Sequence, residues 1–341
     1  MSNTYGEIGN KVAGWYARRL LEHALPVIVL EKFAKIKPLP RNNTKVVEFR
    51  RSVAFADATT PLQEGVTPDG SEFSYEDVSV EMRQYGDWSQ ITDIIDDFSK
   101  DDVLGDIAEM QGEQIASTRE SLTWDIVRSG TMKRYANGVS GRAAVAQGSL
   151  YNAAEARRAV VHLQKQKARK ITRILGGGMG YETYPTEAAY IAVSHTDMGP
   201  DIRDLASTVS GSSAHNHLVS VAHYGTGSAI SENELGRFED IRYVTSPDLD
   251  LFEGAGATGD ATVHRTNDKV DVYPTVIFGQ HSFGCVVLRG KGAVTPVVMN
   301  PNIPRGGDQL GQRGWAGWKM YFGCTILNEA WIYRIESAAK A

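Results

Sequence analysis

Between Lys45 and Tyr85, apolar residues recur at every second position, give way to turn chemistry, and then recur again. In KVVEFRRSVAF, the side chains of Val47, Phe49, Val53 and Phe55 share one side of an extended chain with Arg51 among them, as a half-buried strand requires. The return arm holds Phe73 and Tyr75 at one parity and Val78, Val80 and Met82 at the other, which predicts a bulge near Asp77. Between the arms, ATTPLQEGVTPDGS supplies Pro61, Gly65 and Pro68-Asp69-Gly70 and few apolar groups, so it reads as the tip. Arms of about 12 residues at roughly 3.3 Å each would reach about 40 Å. A two-stranded ribbon is marginal alone in water, so its apolar face needs cover from the rest of the chain or from a neighbouring copy. The long helix that follows starts a separate body, which favours the neighbouring copy.

Other stretches change period. A helix is expected over Gly9 to His23, limited by Pro26, and VIVLEKFAKIKPLPRNN then reads as an extended arm lying on a surface. After a short acidic helical piece, a long helix is expected from Asp101 to Ser129, with Ser99 as its cap. Leu104, Ile107, Ala108, Ile115, Leu122 and Ile126 form its apolar stripe, and Asp102, Asp106, Glu109, Glu113 and Glu120 are assigned to a solvated face. A Gly- and Ala-rich connection spans Tyr135 to Leu150. NAAEARRAVVHLQKQKARKITRIL is expected to be a basic helix over 155–173, facing packaged nucleic acid, an acidic partner helix or solvent. AAYIAVSH is a strand, TDMGPDIRDLAS a helix start, Ile241 to Thr245 a strand, and FEGAGATGDATVHRTNDK a mobile loop. The last third is rich in strands, and Trp318, Met320, Phe322, Cys324 and Ile326 alternate with small or polar residues up to a bend at Asn328-Glu329.

Composition narrows the function classes. With 341 residues, 42% of them hydrophobic, the chain can bury one large core or two smaller ones. No apolar run approaches the roughly 20 residues that span a bilayer, and no signal-peptide pattern opens the chain, so a cytoplasmic place of synthesis without membrane contact is expected. The net charge of -5 argues against tight general binding of nucleic acid and leaves weak contact open. Two cysteines, Cys285 and Cys324, lie in strand-like runs and read as small hydrophobes rather than a disulfide framework. Gly176 to Gly180 lacks the spacing of a phosphate loop, and His215, His217 and His223 lack a carboxylate or cysteine at metal-ligand spacing. No catalytic, cofactor or metal residues are assigned.

KVVEFRRSVAFADATTPLQEGVTPDG followed by QYGDWSQITDII resembles the extended loop of tailed-bacteriophage major capsid proteins with the Hong Kong 97-type fold. YPTVIFGQHSFGCVVLRGKG and DQLGQRGWAGWKMYFGCTILNEAWIYRIE are similar to the closing strands of that coat-protein family, and GRFEDIRYVTSP resembles the strand-turn-strand of its axial domain. The resemblance implies an α+β capsid fold. Its parts would be an N-terminal arm (1–44), an extended β-hairpin loop (45–85), a peripheral domain on a long spine helix (86–170), an axial domain (171–295) and return strands of the peripheral domain (296–341).

It further implies a major capsid protein that assembles with itself, as pentamers and hexamers, into the icosahedral head of a tailed phage around double-stranded DNA. A separate scaffolding protein and a portal protein would be its partners, with a decoration protein left open, the host bacterial cytoplasm its place of assembly and the virion capsid its destination. Assembly contacts are expected at Phe49, Arg50, Arg51, Val53 and Phe55 on the arm of the hairpin and at Glu64 and Asp69 on its tip. Thr59 to Ser71 contains no lysine, so the Lys-to-Asn crosslink of some members is not expected. An encapsulin-type compartment enclosing a protein cargo is the alternative use of the same fold, and a soluble enzyme the remoter one.

Overall fold

The computed structural model describes residues 28–40, 44–53, 55–59, 61, 64–65, 70–98, 103–175, 183–208, 215–224, 229–288, 294–299, 301, 304 and 306–341. The expected helix over Gly9 to His23, the Ser99 cap and the glycine run at 176–180 lie outside them. Among the described residues, no helix is long and apolar enough to cross a membrane, and no three His, Cys, Asp or Glu side chains are grouped to hold a metal ion.

The strand Arg313–Ile326 organises a five-stranded sheet. Its alternation has the expected outcome, since Ala316, Trp318, Met320 and Phe322 are buried. Arg83–Thr92, a strand the sequence reading did not identify, pairs antiparallel along one edge from Thr92 opposite Arg313 to Arg83 opposite Phe322. Val294–Met299 and Phe283–Leu288 follow one another along the other edge, and Lys35–Leu39 joins Phe283–Leu288 in parallel. The helix Val103–Arg128 crosses the buried side of this sheet, where the Trp318 indole N–H donates to Gln114 Oε1 at 3.0 Å and Gln111 Nε2 donates to the Ala316 carbonyl at 3.0 Å.

That helix turns its expected stripe inward, with Ala108 and Ile115 buried and Leu104, Ile107 and Leu122 packed at the margin of the core, while Asp106 and Glu113 are exposed. Gly105, Ala108, Gly112 and Ala116 lie in its buried face, where small residues permit close approach, and Trp124 and Val127 extend that face. Glu120, expected in solvent, is fully buried because its carboxylate accepts the backbone N–H groups of Val29 and Leu30 at 3.1 Å. Burial pushes its pKa up to about 8 against those two hydrogen bonds. Beside it, Arg119 Nε and Nη2 clasp Glu31 at 2.7 and 2.6 Å. The arm does lie on a surface: that of its own subunit.

A second sheet has eight strands, ordered Val219–Ser220, Glu234–Phe238, Ile241–Ser246, Thr183–His195, Tyr273–Phe278, Ile332–Ser337 and Lys133–Tyr135, with Ile171–Leu175 also pairing with Thr183–His195. Ile241–Ser246, Tyr273–Phe278 and Ile332–Ser337 are buried along their whole length. Tyr190, Ala192, Tyr243, Ile277 and Ile335 pack under the helices Ala153–Lys165 and Gly199–Arg203. On the opposite face, Ile191, Val193, Val276 and Phe278 meet Trp124, Val127, Leu30 and Phe33, which joins both sheets and the arm in one core.

Several expectations need correction. Sheet membership crosses the division expected at 295/296, because Phe283–Leu288 belongs to the five-stranded sheet and Ile332–Ser337 to the eight-stranded one. The basic helix ends at Lys165 rather than continuing to 173; Lys167 takes a left-handed φ of 54° and Ile171–Leu175 is a strand. Two of its bases are held by carboxylates of the same subunit, Arg157 by Glu239 at 2.7 Å and Arg158 by Glu155 at 2.5 Å. The glycine- and threonine-rich loop after Phe252 is anchored, with Val263 and Val270 buried beside Val145, Val272 and Ala338.

Candidate assembly surface

The ribbon forms from Val46–Ser52 and Tyr75–Glu81, paired without interruption from Val46 opposite Glu81 to Ser52 opposite Tyr75. The bulge expected near Asp77 is absent. Phe73 and Tyr75 change parity because they point to the other face of an unbroken register.

Near its base the ribbon is covered by its own subunit. Val47, Phe49, Val80 and Met82 are buried against Leu39 and Val286, with Leu288 and Leu327 at the margin. Glycines make the seat. A Cβ added to Gly323 would stand 2.9 Å from Val80 Cγ1, and one added to Gly284 would stand 3.1 Å from Phe49 Cζ. Phe49, expected to await a neighbouring copy, therefore belongs to the subunit's own packing.

The charged rungs are also satisfied within the ribbon. Arg50 Nε and Nη2 bond Asp77 at 2.8 and 2.9 Å, Lys45 Nζ bonds Glu81 at 2.6 Å, and Arg51 pairs with Glu76. Hydrogen bonding from Arg50 holds the Asp77 carboxyl below the usual range. Arg50 and Arg51 thus act first as cross-strand partners, which like-register opposite charges favour.

Beyond these rungs the cover stops. Val53, Phe55, Phe73 and Tyr75 are 41%, 55%, 55% and 53% exposed. The three aromatic rings gather into a small cluster, Phe55 to Phe73 at 6.1 Å and Phe73 to Tyr75 at 4.6 Å, with the Arg50 guanidinium 5.0 Å from the Tyr75 ring. Glu64 is exposed in a turn beside Gly65, whose φ is +79°, while Asp69 lies outside the described residues. Of the expected contact residues, the structure leaves Arg50, Arg51, Val53, Phe55 and Glu64 exposed, the two arginines paired within the ribbon and the other three without a partner element of their own subunit over them.

A second apolar area escaped the sequence reading. On the side of the five-stranded sheet away from the long helix, Trp88 is 63% exposed beside Val297, Trp315, Gly86 and Gly317, with Lys319 at the rim. Its signal was the period-two pairing of Gly86 and Trp88 with Gly317 and Lys319, legible only once Arg83–Thr92 is read as a strand. Away from these two areas, His223 Nδ1 lies 3.3 Å from Ser220 Oγ, and Lys170, past the end of the charged helix, pairs with Asp240 at 2.8 Å.

Comparison with known proteins agrees over most of the chain. The model of the phage capsid protein family matches residues 75–335. The major capsid protein of Pseudomonas phage KPP21 is 21% identical over 273 residues, covering 76% of this chain and 67% of that protein. The solved capsid of Ralstonia phage GP4 superposes with a TM-score of 0.68 at 12% identity over 93% of this chain and 90% of that one. The head structure of Helicobacter pylori bacteriophage KHP40 gives a TM-score of 0.58 at 9% identity over 92% and 89%. At such identities the structures speak for the fold, and the family match carries the assignment. The chain belongs to the phage capsid protein family, as a bacteriophage major capsid protein of the Hong Kong 97-type α+β fold that builds the virion shell with copies of itself.

Proposed function

We propose that this subunit forms pentamers and hexamers that close an icosahedral head around double-stranded DNA, and that the outer half of the ribbon fastens each copy to the next. The observation that supports this is the exposed cluster of Val53, Phe55, Phe73 and Tyr75 on a ribbon whose base is already buried. Burying it on a neighbour would contribute at about 25 cal/mol per Å² of apolar area, repeated at every copy of the shell. The groove at Trp88 suits the receiving role by its apolar lining. Residues 53–74 include Asp57, Glu64, Asp69 and Glu72 and no lysine or arginine, and the groove's rim offers them Lys319 beside the carboxylate of Asp87.

In this reading the five-stranded sheet with its helix is the peripheral domain and the eight-stranded sheet the axial domain. Assembly takes place in the host bacterial cytoplasm on a separate scaffolding protein, with a portal protein at one vertex and room for a decoration protein outside. DNA is enclosed with weak, non-specific contact, in keeping with the chain's net charge of -5.

Electron microscopy of the expressed protein tests the reading. Deletion of residues 57–72 is expected to leave a folded subunit that builds no closed shell. Particles of normal size and yield from that deletion contradict the ribbon's role.

A further inference from the structure

Phe-Gly-Cys occurs twice, at 283–285 and 322–324, and the structure sets the two cysteines against each other. Cys285 lies directly opposite Cys324 in the antiparallel pairing of Phe283–Leu288 with Arg313–Ile326. The Leu327 N–H donates to the Ser282 carbonyl at 2.8 Å, which marks Ser282 and Leu327 as a hydrogen-bonded pair. Three residues further along, Cys285 and Cys324 fall in the other kind of pair, where opposite side chains come closest, near 4.5 Å between Cα atoms. That spacing lies within the range a disulfide can bridge. Both cysteines are free, and the Cys285 thiol donates to the Cys324 sulfur at 3.3 Å. Cys285 is fully buried and Cys324 only partly so, which makes Cys324 the more accessible residue of the pair.

We infer that Cys285 and Cys324 form an oxidisable pair that a small disulfide such as glutathione disulfide converts into a cross-strand bond inside the finished subunit. The Cys324 thiolate attacks one sulfur of the reagent, forms a mixed disulfide and expels one thiolate. Cys285 gives up its proton, attacks the Cys324 sulfur and expels the second thiolate. Two protein thiols are oxidised, one disulfide is reduced to two thiols, and the two protons end on those thiols. The hydrogen bond to Cys324 and burial both hold the Cys285 thiol well above its ordinary pKa, so the second step accelerates as pH rises.

The bond would close the chain between 285 and 324, which contains the strand Val294–Met299 and most of the long strand, and would tie the strand that carries the arm to the centre of its sheet. A protein made in a reducing compartment and then released from it would acquire the bond afterwards. The inference concerns the folded subunit and holds whether or not the ribbon reading does.

The test uses the full-length protein treated with glutathione disulfide at rising pH, quenched, denatured and alkylated, with intact mass as the readout. The expected product takes no alkyl group, is lighter than the reduced chain by two hydrogen atoms, and melts about 5 °C higher without reductant. Cys285→Ala is expected to stop at a glutathione adduct on Cys324, and Cys324→Ala to leave Cys285 unmodified. Two alkylatable thiols after treatment that oxidises dithiothreitol completely overturn the inference, as do disulfide-linked dimers in place of the internal bond.

Discussion

The two halves of the ribbon carry the same alternation of apolar and polar residues and meet opposite surroundings. At the base, Val47 and Phe49 descend onto a sheet whose glycines at 284 and 323 leave room for them. Farther out, Val53 and Phe55 continue the series past the edge of that sheet and stand in water with Phe73 and Tyr75. Alternation states that one face wants cover, while the presence of a seat decides which part receives it at home. A ribbon held at its root and bare at its end is oriented before it meets a partner, which lowers the ordering cost of binding.

Phe49→Ala provides the largest expected effect, a loss of about 3–5 kcal/mol in subunit stability by chemical denaturation, because it empties a packed site. An unchanged denaturation midpoint would mean the base is not seated as described. Charge divides the same way, with Glu120 buried under the arm and Asp77 exposed on the ribbon. The folded pKa of Glu120, about 8, lies above its ordinary 4.5, so the native state keeps a proton the unfolded chain releases. Stability therefore falls as pH rises from about 4.5 towards 8, by at most about 1.4 kcal/mol per pH unit, and levels off above. Glu120→Gln flattens that slope; an identical slope in the variant assigns it to other groups.

Gly323→Ala drives a methyl towards Val80 and is expected to cost about 1–3 kcal/mol, readable as a lower Tm. In contrast, Phe55→Ala with Phe73→Ala changes subunit stability by no more than about 0.5 kcal/mol and sharply reduces the yield of closed particles by sedimentation. A large drop in monomer stability would erase the distinction between the halves. The smallest effect belongs to Arg50→Ala, whose exposed ion pair with Asp77 is screened by salt; no difference in Tm at high ionic strength is expected.

Local pattern made part of this legible. The ribbon, the alternation from Trp318 to Phe322 and the long helix all follow from periods of two or 3.6 within one stretch of chain. Pairing across distance did not. Arg83–Thr92 looks polar because Trp88 and its neighbours face out, and only the partner strand identifies it. Glu120 reads as a solvent-facing acid until the N–H groups of Val29 and Leu30, some 90 residues earlier, are placed against it. The switch of parity at Phe73 suggested a bulge because burial on one face was assumed; both rings are exposed, and the register runs on unbroken. For the candidate site, Val53 and Phe55 were visible in the alternation, while the home seat of Phe49 depended on two glycines far along the chain.

The strand Arg313–Ile326 has a mechanical consequence. Ladders bind it along both flanks, Arg83–Thr92 on one and Val294–Met299 followed by Phe283–Leu288 on the other. A pull directed along its length loads those hydrogen bonds together in shear instead of peeling them singly. The subunit thus contains a tension member that runs the length of that strand.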